Sequence, residues 1–258
     1  MRLRPRFRTI PLMETRRYAK FVPLRKEFQG KVLEWSAEVP RLKDFQERLR
    51  VLRGYEDYVV ETPVVYNRAL DDLDRSSRPK WILIADNPGK NEQKRDNLRY
   101  LVGQSGRLAE KFFREELMSD FRKDVLIINK TPVHTPKTAE LALLRDLDAS
   151  GAVKRLLEES QLWMAGFARD LHKALGIPIW ISGRSELKER GIFASWFREF
   201  SRLYREAPAS ARDEVLVFNH FSMNQFSIEL KRKRRTGVPL PEELRRIGSE
   251  NRKVIFGF

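Results

Sequence analysis

Cysteine is absent from the 258 residues. That excludes disulfides, thiol catalysis, cysteine-ligated zinc and iron–sulfur clusters, and it fits a reducing compartment. Histidine is scarce, with only three residues. His134, His172 and His220 lack the i, i+4 spacing of a helical zinc pair, so no metal site is expected. Long apolar runs are missing too: none approaches the ~20 residues of a membrane span, and no membrane partner is expected. The first 26 residues carry nine Lys/Arg and one acid, Glu14, without the apolar stretch of a secretory signal. An Arg-rich targeting segment stays open there. The preferred reading is a basic arm.

Acidic residues are in deficit. Lys plus Arg number 51 against 36 Asp plus Glu, a formal charge of +15. Such a field attracts polyanions. Nucleic acid comes first and an anionic membrane surface second, because no long amphipathic anchor is evident. Length and a 41% hydrophobic content suit one α/β domain with added segments, or two small domains.

Residues 1–29, punctuated by Pro5, Pro11 and Pro23, read as an irregular basic arm. Residues 30–53 read as helical, with Trp35, Leu42, Phe45, Leu49 and Leu52 at three- to four-residue intervals and Pro40 as a break. Four short apolar runs follow: Trp81–Ala85, Val125–Ile128, Ile177–Ser182 and Val215–Phe218. Helical stretches over Arg107–Met118, Val153–Leu175 and Arg184–Tyr204 separate them. The tail from Lys231 reads as basic and mostly irregular. Short apolar strands alternating with helices predict a parallel sheet covered on both faces. Ligands then bind beyond the carboxyl ends of the strands. Those ends carry Asp86-Asn87-Pro88-Gly89, Asn129-Lys130-Thr131-Pro132, Gly183-Arg184-Ser185 and Asn219-His220-Phe221-Ser222.

Read alone, Asn87-Pro88 can terminate a strand, Asn129 can cap one, and His220 can be a core histidine. Together these motifs resemble the uracil-DNA glycosylase superfamily, nearest its single-strand-selective monofunctional branch. Ala85-Asp86-Asn87-Pro88-Gly89 matches that branch's Gly-Met-Asn-Pro-Gly, and Tyr66-Asn67-Arg68 its upstream Tyr-Asn-Pro. Ile128-Asn129 with Thr135-Pro136-Lys137-Thr138-Ala139-Glu140-Leu141 matches His-Asn followed by Thr-Pro-Ala-Glu-Leu. His220-Phe221-Ser222-Met223 matches His-Pro-Ser-Pro, and Ile181-Ser182-Gly183-Arg184 resembles the strand–Gly turn before that last unit. The match covers roughly residues 59–230. It departs at Ala85, at Asp86, and at both prolines of the last motif. Val102-Gly103-Gln104-Ser105-Gly106 also resembles the thermophile-type branch, whose iron–sulfur cluster a cysteine-free chain cannot hold.

The resemblance implies an α/β fold: a three-layer α/β/α sandwich around a mostly parallel four-stranded sheet. It implies a basic N-terminal arm and helical extension over residues 1–58, a catalytic domain over 59–230 and a basic tail over 231–258. It implies a monofunctional DNA glycosylase that hydrolyses the N-glycosidic bond of a flipped uracil or related damaged base. Asn87 would orient water, Asp86 would add negative potential beneath the sugar cation, and His220 would donate to the leaving base. Asn129 would read the base, with Pro88 and Gly89 lining its site and Tyr100 stacking on it. Ser222 would hold a flanking phosphate, with Lys231, Arg232 and Lys233 clamping others. Phe221, Met223 or Phe226 would wedge into the emptied stack. The expected partner is DNA, single- or double-stranded, acted on by a monomer without metal or organic cofactor. The expected compartment is the bacterial cytoplasm at the nucleoid, or a nucleus. A glycosylase for hypoxanthine, xanthine or an oxidised pyrimidine stays open, because Lys90–Val102 is altered. So do a non-catalytic nucleic-acid-binding protein on the same fold and an unrelated α/β protein.

Overall fold

A computed structural model describes residues 15–258. In chain order the elements are α1 (Thr15–Glu38), α2 (Leu42–Leu52), β1 (Trp81–Ala85), α3 (Gln104–Glu116), α4 (Phe121–Asp124) and β2 (Val125–Asn129). Then come α5 (Glu140–Asp146), α6 (Ala152–Leu175), β3 (Ile179–Ser182), α7 (Ala194–Arg205), α8 (Ala209–Asp213), β4 (Val215–Phe218), α9 (Gln225–Lys233) and α10 (Leu240–Phe256).

The strands form one parallel sheet in the order β2-β1-β3-β4. All four are apolar except for Asn129 and Ser182 at the ends of β2 and β3, because both faces are covered. Alternation divides their side chains cleanly. Ile82, Ile84, Leu126, Ile128, Ile179, Ile181, Val215 and Val217 enter one core, with α1, α6 and α7. Leu83, Ala85, Val125, Ile127, Trp180, Leu216 and Phe218 enter the other, with α3, α9 and α10. The fold is the expected three-layer α/β/α arrangement. The chain leaves β1 toward β2 on one side and returns to β3 on the other, so the topological switch lies between β1 and β3.

Two segments differ from the sequence reading. Residues 15–29 are not an irregular arm: they form the first half of α1, with Pro23 inside it. Phe21, Phe28, Val32 and Trp35 make one buried stripe. Phe28 stacks on Trp163 of α6, and Trp35 meets the same ring edge-on. That burial outweighs the one helical hydrogen bond Pro23 removes. The tail is not irregular either. The expected boundary at 231 falls inside α9, and α10 lays Leu240, Leu244 and Ile247 on the sheet. Its periodicity was hidden by seven Lys/Arg between residues 231 and 246, several of them neutralised locally, as Arg235 and Arg246 are by Glu243. Residues 1–14, the rest of the expected arm, lie outside the described residues. Among those described, no helix is long and apolar enough to cross a membrane.

Candidate active site

The four motifs meet at the carboxyl end of the sheet. Ala85 pairs in register with Asn129, and β3 and β4 end level with them at Ser182 and Phe218. Asp86 follows β1 and is buried. Its Oδ1 accepts a 2.5 Å bond from Lys130 Nζ, and its Oδ2 a 3.4 Å bond from Thr138. Lys130 is fully buried. It also donates to the carbonyl of Ser182 at 2.7 Å, with the rings of Phe193 and Trp196 within 5.2 and 5.9 Å. One ammonium thus ties together the ends of β1, β2 and β3. Gly183, at φ +89°, must be glycine here: a Cβ would sit 2.6 Å from Asp86 Oδ1.

Asn87 is half-buried. Its Nδ2 donates to Thr135 Oγ1 at 2.9 Å and to the carbonyl of Val133 at 3.3 Å. With the nitrogen fixed, Oδ1 is left to accept, and no described residue donates to it. The Pro88 carbonyl is held by the Thr135 N–H and by His134 Nδ1 at 2.9 Å. Burial pushes His134 down to about 4, so it is a neutral structural brace. Gly89 donates its N–H to Glu92 at 3.1 Å.

Glu92 joins this loop to a second one. Its buried carboxyl accepts the Gly89 N–H, and the backbone N–H groups of Leu101 and Val102 also favour its charged form. Leu98 and Leu101 in that segment have φ of +42° and +54°, conformations that cost about 1–3 kcal/mol each. Outside groups hold them: Arg122 donates to the Tyr100 and Leu101 carbonyls, and Asn67 Oδ1 accepts the Tyr100 N–H. Gly106 lets the turn close, since a Cβ there would overlap the Leu101 carbonyl.

Burial, outweighing those N–H donors and Arg122, pushes Glu92 up to about 7. The folded state therefore binds this proton more tightly than the unfolded chain does. Glu92 supports stability fully below about pH 4.5, and the support is lost as pH rises through 7. Relative to Glu92→Gln, the wild type should lose about 3 kcal/mol between pH 4.5 and 8. Urea titrations across that range check this, and parallel curves for the two proteins would refute it.

His220 is half-buried after β4. Its Nδ1 accepts the Ser222 N–H at 3.0 Å and lies 2.7 Å from Ser222 Oγ. An accepting Nδ1 places the neutral ring's proton on Nε2, which no described residue engages. Burial lowers its pKa, with the Lys130 charge adding to that effect and Asp86 and Glu186 opposing it. The loop is anchored by buried Glu229, which accepts the Asn219 N–H at 3.0 Å. Asn129 is fully buried, and neither its Nδ2 nor its Oδ1 has a partner among the described residues.

Several expected site residues lie elsewhere or are otherwise engaged. Tyr100 is not free to stack: it is 1% exposed and donates its hydroxyl to the Val65 carbonyl. Phe221 and Phe226 stack on each other in the core and are no wedge. Met223, 79% exposed at φ +52°, does protrude beside His220. Ser222 caps the histidine as well as facing outward. Lys231 and Arg232 are exposed, whereas Lys233 is held by Glu229 and Asn251. Sequence reading gave Lys130, at its strand end, no special role, and assigned none to Thr135, Glu92 or Glu229. A lysine directly after a strand buried on both faces was the one available signal, because it must find an acid. No protein-family model matches the chain, and no curated protein is significantly similar to it.

Proposed function

We propose that this protein is a DNA base glycosylase that hydrolyses the N-glycosidic bond of a flipped, damaged base. One observation carries the reading: the fully buried amide of Asn129 offers an unpaired donor and an unpaired acceptor at the carboxyl end of β2. Each unpaired buried group costs about 1–3 kcal/mol, so an amide of this kind calls for a ligand with the reverse pattern. Uracil has it, with N3–H as donor and O4 as acceptor. Cytosine inverts it, and the amide meets that pattern only by turning its nitrogen and oxygen over.

The neighbouring groups suit the chemistry. Glycosidic cleavage puts positive charge on the sugar and negative charge on the base. Asp86 supplies a fixed negative charge near the sugar side, held in place by Lys130. Asn87, its nitrogen tied to Thr135, presents only oxygen and so orients a water rather than deprotonating it. That suffices when the bond breaks ahead of attack. The water oxygen then bonds to C1′, the glycosidic electron pair leaves with the base, and the water's proton passes to solvent. His220 Nε2–H donates to the base oxygen on which charge collects. Lys130 is consumed by its ion pair, which favours hydrolysis over an imine route. The base must leave the stack to reach this site, and the charge of +15 supplies phosphate attraction.

Asn129→Leu separates this role from a structural one. Removing a buried unpaired amide should raise folding stability by about 1–3 kcal/mol while abolishing release of uracil from an oligonucleotide. A variant that is destabilised yet still releases base would contradict the assignment.

A further inference from the structure

Asn129 is not the only unpaired polar side chain at this level. Ser182 is 2% exposed, and its Oγ also lacks a partner among the described residues. The register says where the two lie. Ala85 pairs with Asn129, Ile84 with Ile181, and Ser182 with Phe218. Asn129, Ala85, Ser182 and Phe218 therefore form one row across the sheet. Alternation puts all four on the face that carries Leu83, Ile127 and Trp180. From β2 to β4 the row reads amide, methyl, hydroxyl, ring. At a strand spacing of about 4.8 Å, the amide and the hydroxyl rise from Cα positions about 9.5 Å apart. Only the methyl of Ala85 stands between them.

Two unpaired polar groups on one face of the sheet, with a methyl-bearing strand between them, suit a flat ligand with hydrogen-bonding atoms on two edges. Uracil meets half of that. Its N3–H and O4 pair with Asn129, but its C5–H and C6–H edge leaves a hydroxyl unpaired. Hypoxanthine shows Asn129 the same pattern through N1–H and O6, and its imidazole ring adds an acceptor, N7. We infer that Ser182 is a specificity-determining residue whose hydroxyl donates to N7, so that the site takes deaminated purines in preference to uracil. This rests on reading the Asn129 site as a base pocket.

The test uses the intact protein and its Ser182→Ala variant, with hypoxanthine, 7-deazahypoxanthine and uracil as probes. Binding of the free bases is followed by ligand-observed NMR, and single-turnover release from oligonucleotides carrying the three corresponding nucleotides is followed alongside. Wild type should favour hypoxanthine about tenfold over the other two, the worth of one neutral hydrogen bond. Ser182→Ala should lose that preference and handle 7-deazahypoxanthine and uracil as wild type does. Its urea midpoint should be unchanged or higher, which separates the loss from unfolding. An unchanged preference for hypoxanthine in Ser182→Ala overturns the inference, as does a wild type that binds none of the free bases. Binding that depends on Ser182 without release of any base would sink the catalytic reading and keep the specificity. Uracil release that depends on Asn129 but not on Ser182, with no preference for hypoxanthine, would do the reverse.

Discussion

Lys130→Met is expected to lower the folding free energy by about 3–5 kcal/mol, the usual penalty for stranding one member of a buried ion pair. Lys130 is fully buried. Its ammonium meets Asp86 at 2.5 Å and the Ser182 carbonyl at 2.7 Å. Without it, the Asp86 carboxylate keeps only Thr138 at 3.4 Å and sits in a site too dry to solvate it. Methionine preserves the packing against Phe193 and Trp196, so the loss reports the charge and not a cavity. Adding Asp86→Leu removes the stranded carboxylate and should recover most of the stability while leaving base release abolished. Urea denaturation of the single and double variants measures the coupling. A loss below about 1 kcal/mol for Lys130→Met would mean that the pair behaves like a surface contact.

His220→Ala should slow base release about 10²- to 10³-fold, the range found for removing one donor to developing negative charge. The fold should tolerate it. The ring is half-buried, its Nε2 engages no described residue, and Nδ1 only accepts from Ser222. Substrate binding should change little, because the donor matters most once charge has moved onto the base. Ser222→Ala, which keeps the backbone N–H that fixes the tautomer, should cost less than tenfold in the chemical step. Single-turnover rates at saturating enzyme separate binding from chemistry. A His220→Ala variant within threefold of wild type would remove the histidine from the mechanism.

The layer architecture was legible from the sequence because four apolar runs of strand length alternate with helical stripes. Trp81–Ala85 and Val215–Phe218 matched to the residue. Asn87, Asn129 and His220 stood out for a related reason, since each lies at or within two residues of the carboxyl end of a buried strand, where a crevice is expected. What stayed hidden depends on long-range pairing. Nothing local distinguishes Lys130 from a solvated lysine until Asp86, 44 residues away, is placed beside it. Glu92 sits in a charged stretch that reads as exposed loop, yet it is buried and accepts the Gly89 N–H. Tyr100 failed as a stacking candidate because hydrophobicity cannot tell a ring that meets a ligand from one that meets the core. The first half of α1, residues 15–29, was missed because Pro23 and a high density of Arg and Lys masked a stripe that only the facing α6 makes visible.

Base release from an oligonucleotide carrying a single damaged base, wild type against Asn87→Ala, tests the central claim most directly. Hypoxanthine and uracil are assayed side by side, with strand cleavage at the abasic site developed by alkali. The account predicts alkali-dependent cleavage by the wild type with at least one of the two bases, reduced at least 10²-fold in Asn87→Ala. DNA affinity should be unchanged in the variant. Tight DNA binding by the wild type with no release of either base, or release that survives Asn87→Ala intact, would contradict it.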